Sequence, residues 1–134
     1  MPEIKGSCRC GKVTYTSAAD VVFTGICHCG HCQKSTGSAF GTVVAVPTAS
    51  LTITGITRRF TDAGDSGSAT HRDFCPECGS TITQSADAMA ELTMVPVGTL
   101  DDRSWVKPAM QIYCEAAMPW ATVGGLQSFP KMPG

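Results

Sequence analysis

The sequence predicts a mainly β chain, and three observations carry that expectation. Short β-branched runs punctuated by Gly, Pro and Thr recur from end to end. Nowhere do apolar residues recur at the period of 3.6 that marks an amphipathic helix. Eight cysteines stand among 134 residues, and seven of them fall into tight groups that would tie distant strands together. The length suits one compact domain, 1–134, whose core buries roughly two-thirds of the unfolded surface.

Taken in order, residues 6–16 (Gly-Ser-Cys-Arg-Cys-Gly-Lys-Val-Thr-Tyr-Thr) read as a strand or hairpin arm with Cys8 and Cys10 on one face. Residues 21–29 read as a strand that delivers Cys27 and Cys29 to one side. Gly30 then permits a turn that returns Cys32 toward them. Residues 33–38 are polar and hydroxyl-rich, a short turn of helix or a loop. Residues 39–46 are a buried strand that Pro47 stops. Leu51-Thr52-Ile53-Thr54 alternates with period two and ends at Gly55, with residues 57–61 as its hairpin partner. Residues 62–68 are a surface loop, and 69–74 lead into the turn Cys75-Pro76-Glu77-Cys78-Gly79. Strands follow at 80–85 and 91–97, the latter with Leu92 and Met94 on one face. A turn covers 98–102, a late strand 111–114, and the tail from Phe129 is irregular.

The cysteines carry the chemistry. Net charge is -1, from 10 basic and 11 acidic residues, which gives no general attraction to nucleic acid or anionic membrane. The start, Met1-Pro2-Glu3-Ile4-Lys5, has no apolar signal segment, and no apolar run reaches the length of a membrane span. A reducing, cytoplasmic setting is therefore expected, in which cysteines serve metal rather than disulfides. Cys27-His28-Cys29-Gly30-His31-Cys32 converges three thiols on one point. That arrangement suits Zn²⁺ with Zn–S distances of about 2.3 Å and not a disulfide, whose dihedral near 90° strand neighbours disfavour. The simplest partition makes Cys8, Cys10, Cys75 and Cys78 a closed structural zinc site. Cys27, Cys29 and Cys32 remain as a three-ligand site with an open position, the mark of a catalytic zinc. Cys114 either closes that second site or, as the commoner fate of a lone cysteine, packs in the core. His28, between two ligands on a strand, should point away from the metal. His31 lies in the turn, beside a thiolate or in solvent, and His71 reads as an ordinary strand residue.

These motifs resemble a known family. Gly6-x-Cys8-x-Cys10-Gly11-x-Val13, Cys27-His28-Cys29-x-x-Cys32, Thr36-Gly37, Phe74-Cys75-x-x-Cys78-Gly79-Ser80, Gly98-Thr99-Leu100-Asp101-Asp102 and Pro119-Trp120 are similar to the glutathione-dependent formaldehyde-activating enzyme family, which also includes centromere protein V. The resemblance implies several coiled antiparallel β-sheets stapled by zinc, similar to methionine sulfoxide reductase B. It implies the same division into structural and catalytic cysteines, with two zinc ions per chain. The reaction it implies is a reversible carbon–sulfur lyase step, glutathione plus formaldehyde giving S-(hydroxymethyl)glutathione. In many relatives His stands where this chain has Gln111, and Cys114 lies outside the pattern.

The substrates so implied are a small thiol and an aldehyde, with no nucleic acid and no membrane. Lys34, Arg58 and Arg59 are candidate contacts for glutathione carboxylates, and Ser35 or His31 for a developing alkoxide. Two other classes compete: a non-catalytic zinc scaffold that docks a partner, and a thiolate redox sensor. With both sites filled by zinc, the formal charge would move from -1 to about -4, which weighs further against nucleic acid.

Overall fold

The computed structural model describes residues 3–133. Met1 and Pro2, part of the N-terminal segment read for a signal, and Gly134 lie outside the described residues. In chain order the strands are β1 (Ile4–Ser7), β2 (Thr14–Ser17), β3 (Phe23–Cys27), β4 (Gly41–Pro47), β5 (Leu51–Thr54), β6 (Arg58–Ala63), β7 (Ala69–Phe74), β8 (Thr81–Ala86), β9 (Leu92–Pro96), β10 (Met110–Ile112) and β11 (Gln127–Ser128). One α-helix, α1 (Gly30–Thr36), follows β3. The mainly β expectation holds. Among the described residues no helix is long and apolar enough to cross a membrane.

The contacts cluster into two compact units, each assembled from separate stretches of chain. The first holds Met1–Val22 and Val44–Trp105, and the second holds Phe23–Val43 and Val106–Gly134. β4 passes from one to the other.

In the first unit, β1, β2 and β5 form an antiparallel sheet in the order β1-β2-β5. The period-two pattern decides which side is buried: Ile4 and Gly6 on β1, Tyr15 and Ser17 on β2. A second run of neighbours is β9-β8-β7-β6, all antiparallel. The core gathers Ile4, Val13, Tyr15, Val44, Val46, Ile82, Val95 and Leu100. Val44, Ala45 and Val46 are buried consecutively, so this part of β4 is covered on both faces.

Two expectations need correcting here. β5 and β6 are not a hairpin. β5 pairs with β2, and β6 pairs with β7 along its whole length. On β9 Leu92 and Met94 share one face as expected; that face is half-buried, and Thr93 and Val95 on the opposite face are buried. Cys8 and Cys10 sit in the turn between β1 and β2 rather than on a strand.

The second unit is built around a parallel arrangement in which β10 lies between β3 and β11. β3 is nearly continuous in burial through Thr24, Gly25 and Ile26, as a strand covered on both faces should be. The late strand ends at Ile112, not Cys114. Tyr113 takes a left-handed conformation, φ 55°, and Cys114–Ala116 is a 3-10 turn.

Gly6 shows how tightly the first unit closes. A Cβ there would strike the Thr99 carbonyl and the Tyr15 phenol, with Tyr15 Cζ at 2.7 Å. Gly6→Ala should therefore cost about 1–3 kcal/mol of overpacking, read as a lower denaturant midpoint at unchanged slope.

Tyr15 itself sets a pH limit. It lies 2% exposed, its hydroxyl 2.6 Å from Thr99 Oγ1. Thr99 gives its own hydrogen to the Pro96 carbonyl, so Tyr15 is the donor. Burial pushes the phenol from 10.0 up to about 12, the Thr99 bond opposes the shift, and the Asp101 charge adds to it. The unfolded chain then loses this proton first. The stabilisation is complete below pH 10 and fades as pH rises through about 12, a loss of roughly 2–3 kcal/mol. Denaturation midpoints across that window should fall more steeply for the wild type than for Tyr15→Phe.

Candidate metal centres

The first unit brings Cys8, Cys10, Cys75 and Cys78 together, with all four sulfurs within 4.8 Å of one another. Two turns deliver them. Cys8 and Cys10 come from the β1–β2 turn, where Gly11 at φ 81° reverses the chain. Cys75 and Cys78 come from the β7–β8 turn, closed by Gly79 N–H donating to the Cys75 carbonyl at 2.8 Å. The turns are pinned to each other by Arg9 N–H donating to Ser80 Oγ at 3.0 Å. Val13 N–H donates to Cys8 Sγ at 3.3 Å, and Cys78 Sγ lies 3.3 Å from Ser80 Oγ.

The sulfur spacing tests whether a metal fits. The Cys8–Cys10 and Cys10–Cys75 sulfurs lie 3.6 and 3.7 Å apart. A tetrahedron with bonds of about 2.3 Å has edges of about 3.8 Å, so the donor set fits Zn²⁺ in both number and spacing. No cysteine among the described residues is in a disulfide.

The second unit brings together Cys27, Cys29 and Cys32, again with all sulfurs within 4.8 Å. Here the delivery is a strand-to-helix turn. Cys27 ends β3, Cys29 is the N-cap of α1, and Cys32 lies in its first turn. The expected strand to residue 29 therefore stops two residues early. Cys29 takes over the role of a capping side chain, with its Sγ accepting from Cys32 N–H at 3.3 Å. Hydrogen bonds from Cys27 and then Cys32 hold Cys29 down to about 2. The same bond to Cys29 raises Cys27 to about 11, and Cys27 and Cys29 drive Cys32 far up. Cys114 does not join this group. Its half-buried Sγ points to the Gln111 carbonyl at 3.6 Å.

The other candidates are placed as follows. Lys34 is exposed on the last turn of α1. Ser35 Oγ donates to the Cys32 carbonyl at 3.3 Å, and Thr36 Oγ1 donates to the same oxygen at 2.8 Å. Arg58 and Arg59 lie on β6, in the other unit from the trio. Arg59 is engaged with Asp73 through two bonds, Nε–Oδ1 at 2.8 Å and Nη2–Oδ2 at 3.1 Å. His71 is more than a plain strand residue, since Nδ1 meets Thr61 Oγ1 at 3.0 Å and Nε2 meets Asp87 Oδ1 at 2.8 Å. His31 is half-buried in the first turn of α1, and its charge helps lower Cys29.

His28 and Gln111 are the residues whose role the sequence did not show. His28 is completely buried between the two ligand positions, its Nε2 2.9 Å from Gln111 Oε1. Phe40 packs edge-on against its ring with centroids 5.3 Å apart.

Fold and site together define a mainly β protein with, among the described residues, two cysteine clusters, one of four sulfurs and one of three, each able to hold a metal ion. The sequence of residues 3–116 matches the glutathione-dependent formaldehyde-activating enzyme family, and the chain belongs to that family. Two curated relatives, named as candidate glutathione-dependent formaldehyde-activating enzymes, come from Talaromyces marneffei and Emericella nidulans. They are 32% and 35% identical over 72 residues, which is 54% of this chain in each case. The match spans 38% and 36% of those relatives' own lengths. A Rhodobacter sphaeroides protein, solved by crystallography as a structural-genomics target, shares the fold with a TM-score of 0.59 at 17% identity. That likeness covers 93% of this chain and 98% of the other.

Proposed function

We propose that the chain is a zinc-dependent carbon–sulfur lyase that condenses glutathione with formaldehyde reversibly, giving S-(hydroxymethyl)glutathione. One observation carries this reading within the family assignment. Cys8, Cys10, Cys75 and Cys78 form a complete set of four donors, while Cys27, Cys29 and Cys32 form a set of three. The first suits a structural ion and the second an ion with a position left for substrate.

Bound by Cys27, Cys29 and Cys32, zinc supplies a positive charge that acidifies a thiol in its open position. The chain's own groups do the rest. In the forward direction the thiol sulfur forms a bond to the aldehyde carbon, the carbonyl π pair moves to oxygen, and the thiol proton ends on that oxygen. The reverse breaks the same C–S bond. Cys29 and Cys32, fixed by the helix start, hold their sulfurs at one end of α1. Ser35 and Thr36 both spend their hydroxyl hydrogens on the Cys32 carbonyl, so their work is to anchor that ligand's backbone. His31 is the candidate for steadying the developing alkoxide, and exposed Lys34 for holding a glutathione carboxylate. With Arg59 engaged by Asp73, this reading favours Lys34, two residues after Cys32 in the sequence, among the basic candidates. The setting implied by a glutathione reaction is cytoplasmic.

Mutating the four-cysteine set should unfold the chain. Cys78→Ser or Cys8→Ser should lose one zinc and most of the thermal transition, because the metal supplies folding free energy. A Cys78→Ser protein that melts as the wild type does, with full zinc content, would count against that assignment.

The activity is tested by exchange NMR on zinc-loaded protein, because the uncatalysed reaction is itself fast. The protein should accelerate exchange between formaldehyde and S-(hydroxymethyl)glutathione. Cys32→Ser should abolish the acceleration and keep the β signal in circular dichroism. If glutathione gives no acceleration but another thiol adduct does, and Cys32→Ser stops it, the lyase class stands with a different substrate. If no adduct reacts, the lyase reading fails.

A further inference from the structure

We propose that Gln111 is a positioning residue for Cys27 and Cys29, acting on them through the buried imidazole of His28. The inference rests on the reading of Cys27, Cys29 and Cys32 as a metal site and adds to it a partner from the far end of the sequence.

The geometry starts at His28, the residue that links two ligands. Any rotation of its backbone moves both sulfurs. All three of its anchoring groups are fixed. Its N–H donates to the Ile112 carbonyl at 3.1 Å, and its carbonyl accepts from Gln33 Nε2 at 2.8 Å. Its ring Nε2 meets Gln111 Oε1 at 2.9 Å. Gln33 Nε2 also donates to the Ala116 carbonyl at 3.0 Å, so the ligand turn is tied to the 3-10 turn after β10 from two sides.

Gln111 is itself locked. Its Nε2 donates to the Val123 carbonyl at 2.7 Å and to Ser128 Oγ at 2.9 Å, which uses both amide hydrogens. Its Oε1 accepts from Val123 N–H at 3.3 Å and therefore faces His28 as an acceptor. The amide cannot flip without losing a bond to a carbonyl. It follows that His28 carries its proton on Nε2 and that Nδ1 is left as a buried lone pair, consistent with its having no partner.

A fully saturated amide, 3% exposed, bonded to a histidine that is 0% exposed is more than packing needs. Apolar groups of the same shape would leave stability nearly unchanged. What apolar groups would not do is fix the ring and, with it, the turn between the two sulfurs. This is the work that partners of ligand-bearing groups perform in metal sites, where their loss lowers metal retention. Against the four-cysteine cluster no such buried side-chain pair is found among the described residues; Val13 N–H bonds Cys8 Sγ and the Ser80 hydroxyl meets Cys78 Sγ. The family match ends at residue 116, yet Gln111 takes its hold from Val123 and Ser128. The chain beyond the matched segment is thus part of the scaffold of the three-cysteine site.

The test uses full-length protein loaded with Zn²⁺, and with Co²⁺ as a spectroscopic stand-in. Gln111→Met keeps the volume and removes the bond. It should release zinc from the three-cysteine site to a chelator about 10- to 100-fold faster and alter that site's Co²⁺ d–d bands. Zinc on the four-cysteine site should stay put. In the exchange assay kcat should fall with little change in KM for the thiol. His28→Leu breaks the same bond from the other end and decides the matter if Gln111→Met fails to fold. The double variant should release zinc no faster than either single one, because both act through one bond. The inference is overturned if Gln111→Met retains zinc as the wild type does, if both zinc ions loosen together with the thermal transition, or if the two changes simply multiply. A wild type that holds no metal on Cys27, Cys29 and Cys32 strikes down the proposed function itself, and this inference with it.

Discussion

Sulfur crowding is the constraint on which the rest of the structure depends. Each cluster gathers its thiols within 4.8 Å, closer than several ionised sulfurs tolerate without a countercharge. The crowding pulls the thiols of one cluster in opposite directions. In the four-cysteine cluster the Ser80 hydroxyl and backbone draw Cys78 down to about 5. Cys10 goes the other way, to about 11: the Lys12 backbone favours its thiolate, but burial and the neighbouring sulfurs together outweigh it. A divalent cation would remove the conflict, and the sulfurs of each cluster lie close enough together to hold one. The first unit closes on itself through Arg9 and Ser80, 71 residues apart in sequence, at the very place where the charges need a partner.

The cysteine pattern was legible because metal geometry restricts spacing. C-x-C and C-x-x-C place sulfurs within reach of one ion on many backbones, so the grouping survives errors in secondary structure. Those errors occurred. Alternation put Cys8 and Cys10 on a strand, whereas β1 stops at Ser7 and β2 starts at Thr14. Cys27 and Cys29 read as strand neighbours, but Cys29 caps a helix, because its sulfur can accept a backbone N–H as Ser or Asp oxygens do. The cysteine groupings are unchanged in both cases.

Pairing was less legible than the strands themselves. β5 was found at its correct bounds, yet its partner is β2 and not the adjacent β6. The local reason is Gly55, at φ 107°, where a Cβ would run into the Lys12 backbone carbonyl. The chain passes beside the β1–β2 turn there instead of folding back on β5. On β9 Thr93 and Val95 occupy the buried face, opposite the half-buried Leu92 and Met94. Thr93 can be buried because its hydroxyl meets Thr48 Oγ1 at 2.8 Å, a cross-chain bond that no local pattern announces.

Gln111 marks where single-sequence reasoning ends. A lone glutamine in a short apolar strand has no spacing, no charge and no motif, and its four hydrogen bonds go to residues 28, 123 and 128. Ligand residues announce themselves because several must converge on one point. A residue that orients them from behind needs only one bond to one of their neighbours. It therefore leaves almost no trace in the sequence, although the geometry of the ligands depends on it. The three-cysteine site shows this asymmetry plainly. Its donors occupy six consecutive residues and were visible at once, while two of the three polar contacts that hold its linking residue come from Gln111 and Ile112 in the last quarter of the chain.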